Sequence, residues 1–323
     1  TLLSGSLWTH AANGATRSSV VNVRVTGNFN AQGGSTISVS GKGYAGGAPD
    51  NNGSGPGPGT YGGSGGGGGG GHGGNGGNSG GGTIGVGGAA YDNLTAPADL
   101  GSGGGGAISA GGGAGGGAAL IEVGGTLTLD GLVTADGSNG VNGATYGAGG
   151  GAGGTLRLSA ATLAGSGVLR ADGGTGGTAG SVPGGGGGGG RVSLVATVAD
   201  TSNPTVAANA GPGGGGSSIN GGAGAIVHRR PGMSDYHLLV LSTSVVAGSS
   251  TPVTGASLSF SSITVHGGRL VFDAGSIVAA SSLFTSSGTS VVVFSTMSAP
   301  GLSVPAGASV LNGFFLNLTS NGA

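Results

Sequence analysis

The sequence predicts an all-β chain: an elongated parallel β-helix (β-solenoid) with glycine-rich, polyglycine-II-like layers inserted between its rungs. Three observations carry this. Glycine supplies 88 of the 323 residues, and each glycine in a helix interior costs about 1 kcal/mol relative to alanine, which excludes a strongly helical fold. Short apolar segments alternate with a period of two, the pattern of a strand with one buried face. These segments recur at near-constant spacing, and each is too short to bury its apolar face alone. Stacking units solves that problem. Collagen is excluded, because no Gly-X-Y period is sustained and only 11 Pro are present.

The chain divides by composition into residues 1–43 (N-terminal strands or first rungs), 44–232 (glycine-rich repeat β-helix) and 233–323 (a Ser/Thr/Val-rich β-solenoid or β-rich tail). Residues 1–40 hold 5 Gly, 41–232 hold 73 and 233–323 hold 10. The first unit is VNVRVTGNFNAQGGSTISVSGKG (21–43), followed by GGGAALIEVGGTLTLDGLVTADG (115–137), GAGGTLRLSAATLAGSGVLRADGG (151–174) and GGGRVSLVATVADTSNPTVAANAG (188–211). A further relative begins at GAGAIVHRR (222–230). The equivalent apolar positions are Ile37, Val133, Leu169 and Val206. Gaps of 36 and 37 separate the last three, whereas 96 residues separate the first two. The excess is an insert around 44–106 that contains the run Gly65–Gly71.

Inside the units, Ile121 and Val123 flank Glu122, Leu156 and Leu158 flank Arg157, and Val192 and Leu194 flank Ser193. The alternation places Glu122, Arg157 and Ser193 at one equivalent outward position. Residues 231–256, with Pro231-Gly232, read as a hinge. Beyond it, Leu258, Phe260, Ile263, Val265, Leu270, Phe272, Ile277 and Leu283 are expected to line one narrow core, and Val291–Phe294 reads as a buried strand.

Two readings compete for the glycine tracts. One is a solvated low-complexity linker. The other is ordered polyglycine-II packing, in which backbones without side chains share N–H···O bonds. Low charge, strand segments bounding each tract, and interruption by Ala, Ser and Thr rather than by long polar residues favour order.

The segments LGSGGGGAISAGGGAGGGAALIEVGGTLTLDGLVTADG (100–137), GAGGGAGGTLRLSAATLAGSGVLRADGGTGG (147–177) and GGGGGGGRVSLV (184–195) resemble the glycine-rich repeats of bacterial surface or secreted parallel β-helix proteins. The glycine runs themselves also look like the polyglycine-II sandwiches of some phage tail-tip adhesins. The resemblance covers roughly residues 20–230 and implies adhesion, matrix or filament roles in a secreted or cell-surface setting.

Chemistry is sparse. Nine Lys+Arg, ten Asp+Glu and no Cys exclude a basic nucleic-acid footprint and thiolate chemistry. No apolar run approaches the roughly 20 residues of a spanning helix. A first residue of Thr is expected for a processed chain or a fragment. Asp136 and Asp172 are repeat equivalents, and Asp before Gly reads as turn structure, not as a catalytic pair. No pair of His residues has a convincing metal-ligand spacing, though His228 and His237, nine residues apart, could meet across a turn. Arg229-Arg230 reads as a solvated turn. GxGxxG matches arise from composition and precede no helix. Thr126, Thr128, Thr134 and Thr162 are candidates for an outward face that meets glycan or ice. Trp8, Tyr44, Tyr61, Tyr91 and Tyr146 are candidates to stack on sugars or cap the glycine layer. No catalytic residue, cofactor or metal is expected. The expectation is a non-enzymatic extracellular structural or adhesive protein that self-associates into a filament or larger surface assembly. The alternative is a glycan- or ice-binding module.

Overall fold

The computed structural model describes residues 1–63, 65–81, 83–241, 249–273, 276–285, 290–293, 296–298, 301–303, 309–312 and 315–317. They form strands and turns with no helix, so the chain is all-β. In order these are β1 (Leu7–Trp8), β2 (Val21–Val25), β3 (Phe29–Ala31), β4 (Thr36–Ser38), β5 (Ala118–Leu129), β6 (Leu132–Thr134), β7 (Thr155–Ala164) and β8 (Val168–Arg170). There follow β9 (Arg191–Asp200), β10 (Thr205–Ala207), β11 (Ala225–Arg229), β12 (Tyr236–Leu241), β13 (Thr251–Val253), β14 (Ser257–His266), β15 (Arg269–Phe272), β16 (Ile277–Ala280) and β17 (Ser282–Thr285). The last are β18 (Ser290–Val293), β19 (Thr296–Ser298), β20 (Gly301–Ser303), β21 (Ser309–Asn312) and β22 (Phe315–Asn317). Phe294, the end of the expected buried run, lies outside the described residues.

The strands form three open sheets. The largest runs β2-β5-β7-β9-β11-β12-β14-β16-β19-β22, with β3 beside β5, β17 beside β14, and β20 beside β17. The others run β1-β4-β6-β8-β10 and β13-β15-β18-β21. Among these strands every pair is parallel except β11–β12, which makes the largest sheet mixed. The second sheet pairs Ile37 with Val133, Val133 with Leu169, and Leu169 with Val206.

Short polar side chains tie neighbouring units together. The backbone N–H of Asp136 donates to Ser40 Oγ (3.0 Å), that of Asp172 to Asp136 Oδ1 (2.9 Å), and that of Asn209 to Asp172 Oδ1 (2.6 Å). Asn139 and Asn142 accept from Thr175 and Thr178 in the same way, 36 residues on.

One outward position needs correction. Glu122 stands in register with Arg24 and Ser159, while Arg157 stands in register with Leu120 and Ser193. Pairing runs from the strand starts Ala118, Thr155 and Arg191, so the apolar–polar–apolar trio of β5 is offset by two residues from those of β7 and β9 while staying on one face. Ser193 is fully buried.

Of the hinge expected at 231–256, residues 242–248 lie outside the described residues, and the part before them belongs instead to an antiparallel hairpin, in which His228 lies opposite His237. Its consequence is large. Val192, Ile226, Leu239 and Leu241 face one core, which also contains Ile121, Leu156, Leu158 and Leu169. Val227, Leu238 and Val240 face a second core with Phe260, Ile263, Leu270 and Phe272. β11 and β12 therefore carry apolar side chains on both faces. Parallel crossovers are right-handed in about 98% of cases. Reversing strand direction while keeping that hand places the return strands on the opposite face of the sheet, and the core changes sides. Ile277 is a second correction: it is 58% exposed and its neighbour Val278 is buried. The pairing of Val278 with Leu258 puts that alternate residue inward.

The glycine tracts pack beside the strands. Gly67 N–H donates to Gly147 (3.0 Å), Gly70 to Gly150 (2.9 Å), Gly185 to Gly67 (2.9 Å) and Gly149 to Gly105 (2.8 Å). All of Gly65–Gly71 is buried. These bonds, made between tracts far apart in sequence, give the backbone groups of the 44–106 insert their partners.

Candidate functional site

On the largest sheet, the face opposite the first core carries the candidate site. The outer residues there are Asn22 and Arg24 on β2, Glu122 on β5, Arg157 and Ser159 on β7, and Arg191 and Ser193 on β9. Residues 91–99 lie across β9. Arg191 Nε donates to the Tyr91 carbonyl (2.8 Å), Ser193 Oγ to the Thr95 carbonyl (2.8 Å), and Thr155 Oγ1 to the Asp99 carbonyl (2.7 Å).

This loop is held by its own acid and amide. Asp92 sits at φ 74°, a conformation that Asp tolerates better than most residues. Its carboxylate accepts the N–H groups of Asn93, Ala98 and Asp99. Asn93 Oδ1 accepts from Thr95 and Ala96. Below it, the fully buried His72 contacts the Gly153 carbonyl through Nδ1 (2.9 Å) and Asp92 through Nε2 (3.5 Å). Burial pushes the Asp92 carboxyl up, but His72 and the N–H groups of Asp99 and Asn93 outweigh it and hold the group well below the usual carboxylate range. Burial and its bond to Asp99 push the Tyr44 hydroxyl up to about 12.

Two clefts flank the loop. The larger, about 520 Å³, is lined by Asp92, Asn93, Thr95, Arg191, Asp235, Tyr236, Ser257, Leu258 and Ser259, among others. The smaller, about 300 Å³, is lined by Asn22, Arg24, Glu122, Arg157, Ser159, Thr95 and Tyr236, among others. Thr95 and Tyr236 belong to both, so the clefts adjoin. Arg24 pairs with Glu122 at 2.8 Å, an exposed contact of little energetic weight. Neither Arg157 nor Arg191 has an ion-pair partner within 4 Å among the described residues. Arg191 is 4% exposed, and its Nη1 is buried without a hydrogen-bond partner. Burial lowers its pKa to about 10, which leaves it charged at neutral pH.

The candidates from sequence fare differently. Asp136 and Asp172 stack with Arg170 between them, at 2.7 Å from Asp136 and 3.6 Å from Asp172. They are engaged in bonding between units. His228 and His237 do meet, but His228 Nε2 faces Asp200 at 2.8 Å, too poorly angled for a hydrogen bond, and His237 faces the Ser262 hydroxyl. Among the described residues no three His, Cys, Asp or Glu are grouped to hold a metal. Arg229-Arg230 is not merely a solvated turn: Arg230 pairs with Asp200 at 3.0 Å and Arg229 lies over the Tyr236 ring at 5.7 Å. Thr134 is buried and bonded to Ser38, not outward. Thr126 is paired with Thr162, but Thr128 meets Ala164, so the threonine rank is broken. Trp8 packs on Phe29 (5.5 Å between rings) and Tyr44 on Leu100 and Ala118. Tyr236, which sequence reading passed over, is the ring that lines both clefts, with Phe260 beside it in the larger one. Its sole signal was a position beside Asp235 at the start of an apolar run.

Burial lowers the pKa of His228, His237 and His10 below the ordinary 6.5. The folded chain protonates these rings less readily than the unfolded chain does, so around and below about pH 6.5 the unfolded state binds more protons and stability rises with pH. The melting temperature is therefore expected to fall between pH 7 and pH 5, and His228→Asn is expected to shallow the fall. A flat or rising profile in thermal scans would contradict this.

No protein-family model matches the chain, and neither a curated protein nor a solved structure matches it.

Proposed function

We propose that the chain is a non-enzymatic extracellular protein with a structural or adhesive role. In this reading it is a parallel β-solenoid, braced by polyglycine-II-like layers, that self-associates into a filament or larger surface assembly. The observation that carries it is the continuous parallel register across β2, β5, β7, β9 and β11. The side chains best suited to acid–base chemistry, Asp136 and Asp172, are spent on bonding one unit to the next. β1 and β2 each have a strand neighbour on one side only among the described residues. Such edges present backbone donors and acceptors to a second copy. No helix of the described residues is long and apolar enough to cross a membrane.

A second reading, glycan binding, is favoured by the adjoining clefts around Thr95 and Tyr236, whose lining mixes hydroxyls, amides and charges with apolar side chains. Ice binding loses its support with the broken threonine rank.

Electron microscopy and sedimentation of the purified chain over a range of concentrations test the assembly. Elongated particles that lengthen with concentration are expected. A particle that stays monomeric at high concentration would overturn self-association.

A further inference from the structure

We propose that the two adjoining clefts form one binding groove for an acidic polysaccharide, with sugar carboxylates recognised by Arg157 and Arg191. The inference rests on the glycan-binding reading and names its ligand class.

Three observations support it. First, the two guanidinium groups are close. Thr155 is in register with Arg191 and Arg157 with Ser193, so the Arg157 and Arg191 Cα atoms sit on adjacent strands about 8 Å apart, from the strand spacing and rise. They share the outer face, because the alternate residues Leu156, Leu158, Val192 and Leu194 all point into the first core. Second, neither makes an ion pair within 4 Å among the described residues, Asp92 acting on Arg191 only from farther away, and Arg191 Nη1 is a buried donor without a hydrogen-bond partner in a residue 4% exposed. A buried donor left unpaired is costly, more so when charged. A ligand carboxylate recovers that cost by displacing an atom that now covers Nη1. The carboxylates nearby are already engaged: Asp92 accepts three backbone N–H groups, and Asp235 accepts the hydroxyls of Ser234 and Ser259.

Third, the remaining lining suits sugars. Asn22, Ser159, Asn93 and Ser257 offer amides and hydroxyls, and Tyr236 offers a ring where the clefts meet. The groove crosses successive strands from β2 to β14, six steps of roughly 4.8 Å, which accommodates an oligomer rather than one sugar. Leu94, Val253, Leu258 and Phe260 also line the larger cleft, so a peptide is the competing ligand that the test must exclude.

The test is titration calorimetry of the whole chain with three probes: a uronate hexasaccharide, a neutral hexasaccharide of the same linkage, and a glutamate hexapeptide. The uronate is expected to bind most tightly, with affinity falling as salt rises. Arg157→Gln, which removes a partly exposed guanidinium that anchors no loop, is expected to weaken it by about tenfold or more. Ser259→Trp, which fills the larger cleft, is expected to weaken it as well. Arg191→Gln would remove the bond to the Tyr91 carbonyl, so circular dichroism must first show that variant folded. Equal binding of the neutral sugar, tighter binding of the peptide, no uronate binding, or an unchanged Arg157→Gln affinity would each overturn the proposal. Self-association is read separately by sedimentation, so failure here and failure of the filament reading are distinguishable.

Discussion

Gly149→Ala is expected to destabilise the fold by about 3 kcal/mol or more, while Gly14→Ala changes stability by about 0.5 kcal/mol or less. A Cβ on Gly149 would lie 1.9 Å from the Gly68 carbonyl oxygen and 2.4 Å from its carbon. Those atoms are backbone and cannot rotate aside. Gly149 itself is pinned, because its N–H donates to Gly105 (2.8 Å) and its carbonyl accepts from Gly113 (2.9 Å). Relief of the clash would break bonds worth roughly 1 kcal/mol each and spread into neighbouring tracts. Gly14 has nothing within 4 Å of the same position. Urea denaturation of the two variants measures the contrast. Similar effects at both sites would mean that the tracts are not packed against one another.

Leu169→Ala is expected to cost about 2–5 kcal/mol, and Val168→Ala about 0.5 kcal/mol or less. Leu169 is fully buried in the first core, between Val133 and Val206 in register. Truncation leaves a gap that short flanking strands fixed by that register close poorly. Val168 points the other way and is 37% exposed. Paired thermal or urea denaturation checks the difference. A mild Leu169→Ala would mean that the second sheet contributes little to the core.

Some of this was readable along the chain because it is one-dimensional. Period-two alternation at Leu156/Leu158 and Val192/Leu194 needs no partner to be seen, and the recurrence of Ile37, Val133, Leu169 and Val206 is a matter of counting. Asp136 and Asp172 read as local turn residues, whereas their carboxylates bond the next unit, 36 and 37 residues on, which an Asp-Gly pair by itself does not announce. The site was far less legible. Arg191 looks like any strand-starting arginine until the loop around Tyr91 and Thr95, 100 residues earlier, is laid over it. Tyr236 is an ordinary aromatic until β12 pairs with β14 and turns it toward Asp235 and Leu258.

The amino-acid sequence alone determined the all-β class, the spacing of the units and the faces of most strands, because pleat geometry and glycine's poor helix propensity act locally. Tertiary structure alone decided where the glycine tracts lie, which side of the sheet holds each core, and that a groove exists. Each of these depends on segments far apart in the chain meeting at backbone distance. A glycine has no side chain to announce its partner, and a strand apolar on both faces, like β12, does not say which core it will meet first.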